Sequence, residues 1–284
     1  MRPVSRTCSS PFTVGAIPML RNVFLKAIQE QRRSLFWWVV GMSTLNVGTL
    51  LFYPVIKDAT GINELMQEFG PLMEPFMGGI EDITSPEGYI HSQLFSFMIP
   101  LLFIALGITV GSGAIAGEEE RGTLDLLLSN PLDRWRVVVE KFGANLVAMA
   151  LLAIGTWVGL VVGVLMVKMD ISYVRLAEAT IGSALLGGTF GALAFALGSA
   201  WGKRGAAAGI TSAVAVAASM LDTLAQFVDW LEPLRFASPF YYYNSGSPLV
   251  NGLDPLHVLV LAGLTAALLA VAVVTFERRD LGIG

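Results

Sequence analysis

Few side chains in this sequence could carry out catalysis. The chain has two histidines and one cysteine. His91 and His257 lie neither in an H-E-x-x-H motif nor near a G-x-S-x-G turn, the patterns typical of zinc and serine hydrolases. Cys8 has no second cysteine with which to form a disulfide or a multi-cysteine metal site within the chain. We therefore expect no catalytic residue here.

One segment resembles a phosphate-binding loop in composition but not in spacing. A Walker A loop has four residues between its first glycine and a Gly-Lys pair, followed by Ser or Thr. Here three residues separate Gly198 from Gly202 and Lys203, and Arg204 stands where the magnesium-binding hydroxyl would be. The spacing excludes a Walker A site at this loop, so we expect no nucleotide cofactor in this chain.

Sulfur and imidazole ligands raise the alternative of a soft copper site, formed by Met66, Met73, Met77, Met98 and His91. Methionines in an amphipathic segment more often fill gaps between apolar side chains. Apolar packing is therefore the favoured interpretation, and we expect no metal site.

Composition indicates which elements must position any functional residue. Hydrophobic residues make up 54% of the chain, charged residues 14%, and the mean hydropathy is +0.66. The apolar residues form blocks of about 20, the length that crosses a bilayer as a helix. Ladders of alternating polarity, typical of membrane barrels, are missing. The sequence predicts an all-α, multi-pass membrane protein with about six spans, at 35–56, 94–116, 142–167, 180–201, 205–226 and 256–276.

The basic residues predict the orientation of these spans, because Lys and Arg stay on the cytoplasmic side during insertion. With six spans, most of the 18 basic residues fall on one side: Arg2, Arg6, Arg21, Lys26, Arg32, Arg33, Arg121, Arg134, Arg136, Lys141, Lys203, Arg204, Arg278 and Arg279. The other side holds Lys57, Lys168, Arg175 and Arg235. Both termini are therefore expected in the cytoplasm. The net charge of −4 reflects acids gathered in outer loops, so nucleic acid is not an expected partner.

Between the spans, the pattern predicts several distinct segments. Residues 1–18 are expected to be a flexible cytoplasmic tail, and 19–34 an amphipathic helix on the inner membrane surface, because apolar residues recur there at three and four. The six-helix domain covers 35–276, with outer loops at 57–93 and 227–255. Residues 277–284 are expected to be a second cytoplasmic tail.

Small and polar residues within the spans suggest where helices meet. Glycines at G-x-x-x-G spacing let helices approach closely, either within one bundle or against a second copy: Gly107, Gly111, Gly155, Gly159, Gly163, Gly187 and Gly191. Asn46 and Asp222 are polar residues within or at the edge of spans. Because polar groups at membrane depth are often functional, both are candidates for a transport pathway.

The segment 117–136 joins the second and third spans on the predicted cytoplasmic side. It contains three glutamates, Arg121, Gly122 and a leucine-rich run that ends at Pro131. Acidic residues favour a helix N-terminus, and proline ends a helix. The apolar stripe is too short to span a membrane, so it must lie against the membrane, the bundle or a partner.

This segment resembles the signature loop of ABC-2 type transporter permeases, written loosely as E-R-x-x-G-T-L-E-x-L-L-x-x-P. Eight positions match it: Glu118, Gly122, Thr123, Leu124, Asp125, Leu127, Leu128 and Pro131. Glu119 stands where the family usually has Arg or Lys. The run Ser238-Pro239-Phe240-Tyr241-Tyr242-Tyr243, the later Pro248-Leu249-Val250-Asn251-Gly252 and the ending Phe276-Glu277-Arg278-Arg279-Asp280-Leu281 are also similar to the family.

The resemblance implies one permease half of an ATP-binding cassette transporter, usually an exporter, in a prokaryotic plasma membrane. ATP and Mg would be bound by separate ATPase subunits, and a second permease copy or a paralogue would complete the pathway among membrane lipids. Residues expected to couple to the ATPase are Glu118, Glu119, Arg121, Gly122, Thr123, Leu124, Asp125, Leu127, Leu128, Lys203 and Arg204. The alternative is a non-transporting membrane scaffold or sensor.

Overall fold

The computed structural model describes residues 23–57, 85–124, 133–245 and 248–279. Six long apolar helices dominate these ranges, and no strand occurs in them. The helices are α1 (Val23–Leu50), α2 (Tyr53–Lys57), α3 (Pro86–Ile90), α4 (Met98–Ala114), α5 (Ala116–Glu120), α6 (Arg134–Val167), α7 (Tyr173–Trp201), α8 (Arg204–Leu224), α9 (Glu232–Arg235), α10 (Pro239–Asn244) and α11 (Pro255–Arg278). The predicted all-helical class and the number of spans are confirmed.

Two of the helices begin well before the predicted spans, because a helix continues past the hydrocarbon wherever its backbone can pair. The predicted third span starts at residue 142, whereas α6 begins at Arg134. Likewise, α1 runs from Val23 to Leu50 without interruption. The boundary predicted at 34/35, between an interfacial helix and a first span, is therefore not a helix boundary. The position of 23–34 relative to the membrane stays a prediction, and 19–22 lie outside the described ranges.

Two glycine-lined contacts hold the bundle together. Helix α7 packs along α4 on one side, and α1 packs along α6 on the other. Helix α11 lies against α7 and α6, while α8 packs against α7 and α4. Helix α7 is thus the central element, which agrees with its many buried positions and with the small residues that let neighbours approach.

The second span is interrupted near residue 96. Residues His91–Phe95 form a single π-helical turn, and Phe97 has φ −143° before α4 begins. Because Pro100 has no N–H, it cannot donate a hydrogen bond in the first turn of α4. The hydroxyl of Tyr243 in α10 donates to the carbonyl of Phe95 at 2.7 Å. Burial raises the pKa of Tyr243, so the phenol stays protonated and the donor is kept.

The opposite end of the bundle carries most of the predicted coupling residues. An apolar cluster lies beneath them, drawn from α1, α6, α7, α11 and the segment after α4. Phe142 and Phe195 meet edge to face there, with ring centroids 5.4 Å apart. This end therefore has a packed core of its own, on which charged side chains are arranged.

Candidate functional site

The short helix α5 ends in a glycine-dependent turn. Gly122 has φ +68°, and its N–H donates to the carbonyl of Glu119 at 2.9 Å. The N–H of Thr123 donates to the carbonyl of Glu118 at 2.9 Å, which completes a Schellman motif. Only a residue that tolerates the left-handed region closes this turn without strain. The turn directs Leu124 inward, where it is buried in the apolar cluster.

The first of three consecutive glutamates forms a buried ion pair with α6. Lys141 Nζ lies 2.6 Å from Glu118 Oε2, and the two side chains are only 4% and 8% exposed. The same ammonium donates to the carbonyl of Ala114 at 2.7 Å. Since Ala114 is the last residue of α4, Lys141 holds both the end of the second span and the segment that follows it.

The second glutamate binds the end of the last span. Arg279, which caps α11, donates to both carboxylate oxygens of Glu119, with Nη1 to Oε2 at 2.8 Å. Arg134 Nη1 donates in turn to the carbonyl of Arg279 at 2.9 Å. Gly202, with φ +64°, lies against this pair, and a Cβ there would overlap Glu119 and Arg279. The positive φ favours glycine at 202, and a side chain there would also displace the ends of the Glu119 and Arg279 side chains.

The third glutamate caps α8. Glu120 Oε1 accepts a hydrogen bond from the backbone N–H of Arg204 at 2.8 Å. A carboxylate at this position satisfies an unpaired N–H and interacts favourably with the helix dipole. Glu118, Glu119 and Glu120 therefore each reach a different helix, namely α6, α11 and α8.

The remaining predicted coupling residues divide into surface and undescribed positions. Arg121, Gly122, Lys203 and Arg204 are exposed beside the three glutamates. Asp125, Leu127 and Leu128 lie outside the described residues. Lys141 and Arg279 were not among the predicted site residues, because nothing in the local sequence links position 118 to 141 or 119 to 279. The only signal was that both are basic and fall on the same predicted side.

Three of the predicted packing glycines lie on α6, where it meets α1. Added Cβ atoms at Gly155, Gly159 and Gly163 would crowd Val39, Ser43 and Leu50 respectively. The hydroxyl of Ser43 also donates to the carbonyl of Gly155 at 3.1 Å. This face is occupied within the chain, so it does not lie open to a second copy.

The other four glycines bring α4 and α7 into backbone contact. A Cβ at Gly107 would overlap the carbonyl of Gly187, and a Cβ at Gly111 would overlap that of Gly191. Each of the two G-x-x-x-G motifs is therefore in contact with the other helix of the same chain. Their spacing of four residues matches the close approach that such motifs allow.

The two candidate pathway residues are held by contacts within the chain. Asn46 is fully buried, and its amide donates to the carbonyl of Thr156 at 3.4 Å. Asp222 is 1% exposed, and its carboxylate accepts from Arg235 Nε and Asn244 Nδ2, each at 2.7 Å. Asp222 thereby anchors α9 and α10 to α8. A role for either residue in a pathway stays a prediction.

Within the ranges that the structure covers, no group of three or more His, Cys, Asp or Glu side chains could hold a metal ion. His91 is buried in the π-helical turn. Met66, Met73 and Met77 lie outside the described ranges.

Six long apolar helices define a polytopic α-helical membrane protein. At one end of its bundle, charged side chains bind the ends of several helices to one another. The sequence profile of the ABC-2 family transporter proteins matches residues 21–281, so the chain belongs to that family. The family match places it in the permease class. Two similar proteins are described as probable ABC transporter permease protein NosY. The one from Stutzerimonas stutzeri is 32% identical over 43% of this chain and 45% of its own length.

The second relative, from Pseudomonas aeruginosa, is 36% identical over 42% of this chain and 43% of its own length. The match thus spans less than half the length of either relative. Together with the family match, these relatives support an ABC transporter permease, a class of subunit that is generally non-catalytic.

Proposed function

We propose that this chain is the permease subunit of an ABC transporter that exports its substrate. In this proposal the chain forms half of the translocation pathway and couples to a separate ATPase through the segment 117–136. The observation that carries the proposal is the set of three adjacent glutamates that connect α5 to α6, α11 and α8. Because α5 is bonded to three spans, a displacement of α5 would move those spans as well. A loop without such contacts would change shape instead.

Helix α5 is short and lies directly after the second span. It has five residues and follows α4 after Ile115, so a force applied to it acts on the end of the second span. Glu118 is buried with Lys141, and that pair cannot separate without exposing charge to an apolar environment. A docked ATPase that moves α5 would therefore move α6, α8 and α11 together. Such rigid-body shifts are a common way to switch between two states.

The same proposal places the end of the bundle that carries α5 in the cytoplasm. The contacts of Glu118, Glu119 and Glu120 gather basic residues of three separate segments at one end of the bundle, namely Lys141, Arg279 and Arg204. The positive-inside rule favours the cytoplasm for that end. The bacterial origin of both relatives supports the plasma membrane of a prokaryotic cell. A second permease, identical or a paralogue, would complete the pathway, because a closed two-fold assembly is the commonest arrangement.

The test uses two substitutions that share a backbone penalty but differ in bulk. Gly122 is exposed with a positive φ, and a Cβ there would meet no atom within 4 Å. Gly122→Ala and Gly122→Trp therefore strain the turn similarly, while only tryptophan projects a large side chain outward. Each variant is co-expressed with the ATPase subunit that we expect to be encoded in a neighbouring reading frame, and bound ATPase is measured after gentle extraction.

We expect Gly122→Ala to retain the ATPase and Gly122→Trp to lose it, with both variants eluting as folded protein in gel filtration. Wild-type ATPase binding by Gly122→Trp would refute docking at this turn. Absence of any ATPase from the wild-type preparation would instead favour the scaffold or sensor alternative.

A further inference from the structure

Two exposed arginines converge beside α5. The side chain of Arg204 lies along the two glycines Gly117 and Gly113, where added Cβ atoms would be 3.6 Å from its Cδ and 3.5 Å from its Nε. Arg121 folds back to donate from Nε to the carbonyl of Gly117 at 2.8 Å. Its Nη2 would be 4.0 Å from the same added Cβ at Gly117. The two guanidinium-bearing side chains thus share one glycine-lined groove.

The basic side chains at this groove have no carboxylate paired with them among the residues that the structure describes. Among the residues that the structure describes, no carboxylate forms an ion pair with Arg121, Lys203 or Arg204. The nearby Glu120 accepts from the backbone N–H of Arg204. Arg121, Lys203 and Arg204 are thus exposed basic residues, and the nearby Glu120 carboxylate is engaged by the start of α8.

The position of the groove fits the headgroup layer of a membrane. Trp201 ends one candidate span and Trp135 lies at the start of another, and they are 46% and 48% exposed. Exposed tryptophans at span ends mark the interface between hydrocarbon and water. The guanidinium of Arg204 reaches Gly113, which still belongs to the candidate span Pro86–Ala114. A cation at this end of the span lies close to the phosphates of the surrounding lipid headgroups.

We propose that Arg121, Lys203 and Arg204 bind the phosphate of an anionic lipid headgroup. Planar guanidinium groups donate paired hydrogen bonds to phosphate oxygens, and an adjacent ammonium adds charge. Glycines at 113 and 117 leave the Arg204 side chain room to lie flat, so its head stays at the level of lipid phosphates. A carboxylate of a docked ATPase would approach from beyond the membrane surface and fits the depth of Arg204 less well.

The site is tested with the purified full chain in mild detergent. Equal amounts of phosphatidylglycerol and phosphatidylcholine are added, and bound lipids are counted by native mass spectrometry. Wild type is expected to retain phosphatidylglycerol preferentially. Arg204→Gln and Arg121→Gln should each lower that preference about fivefold, the effect of one basic residue near an anionic headgroup.

Arg278→Gln is the matched control, because Arg278 is an exposed arginine at the end of α11 and has no part in the groove. It should keep the wild-type preference. An equal fall in Arg278→Gln would overturn the site, since it would show a response to net charge alone. Absence of any preference in wild type would also overturn it and would favour a carboxylate of a partner protein as the counter-ion.

Discussion

The buried ion pair between Glu118 and Lys141 should contribute to the free energy of unfolding, and removing either charge should lower it. Lys141→Met leaves the Glu118 carboxylate about as buried as before, with its cation removed. Breaking one partner of a buried ion pair costs about 3–5 kcal/mol. Glu118→Leu leaves the ammonium with its hydrogen bond to Ala114, so we expect a loss toward the lower end of that range. The double variant removes both charges and should be more stable than either single variant.

The free energy of unfolding is measured by titrating SDS into mixed micelles and following tryptophan fluorescence. Arg136→Met serves as the control, because it breaks an exposed pair with Glu140 in which the arginine side chain is 54% exposed. Exposed pairs of this kind contribute about 0–1 kcal/mol. A loss in Lys141→Met no larger than in Arg136→Met would refute the argument that Glu118 is held in a buried, charge-dependent contact.

Two further predictions concern packing and orientation. Gly111→Ala should destabilise the bundle by about 1–3 kcal/mol, because its Cβ would overlap the carbonyl of Gly191. Gly188→Ala should leave thermal stability unchanged, since a Cβ there meets no atom within 4 Å; equal losses would contradict the α4–α7 contact. Lys203→Cys and Lys168→Cys, made without the native cysteine, are exposed beyond opposite ends of α7. They should be labelled from opposite faces of sealed vesicles, and labelling from one face would refute the topology.

The sequence predicted the class of fold well, because bilayer insertion leaves a strong pattern. Uncharged blocks of about 20 residues identified every long helix that the structure describes. Helix ends were less predictable, since residues 23–34 carry charge and yet continue into α1. Charge and hydropathy in the sequence predict where a span leaves the hydrocarbon of the bilayer. The end of the helix depends instead on where backbone hydrogen bonding stops.

The site was predictable in its residue types but not in its connections. Glu118, Glu119 and Gly122 were identified from the loop, whereas Glu120 was not among the predicted site residues. Helix-capping rules account for the turn at Gly122. The partners are set by tertiary packing: Glu119 binds a residue 160 positions away, across the rest of the bundle. Glycine spacing likewise predicted close contacts, as at Gly107 and Gly187, without indicating which helix would make them.

The proposal that the segment 117–136 couples to an ATPase through Glu118, Glu119 and Glu120 is tested most directly by a charge exchange at Glu119 and Arg279. Their side chains are 28% and 22% exposed, so reversed charges can be accommodated without rebuilding the core. Permease-dependent stimulation of ATP hydrolysis is measured in proteoliposomes that contain the permease and its ATPase. Glu119→Arg and Arg279→Glu should each lower that stimulation, and combining them should restore most of it. Wild-type stimulation in both single variants, or a double variant no better than either, would contradict the account.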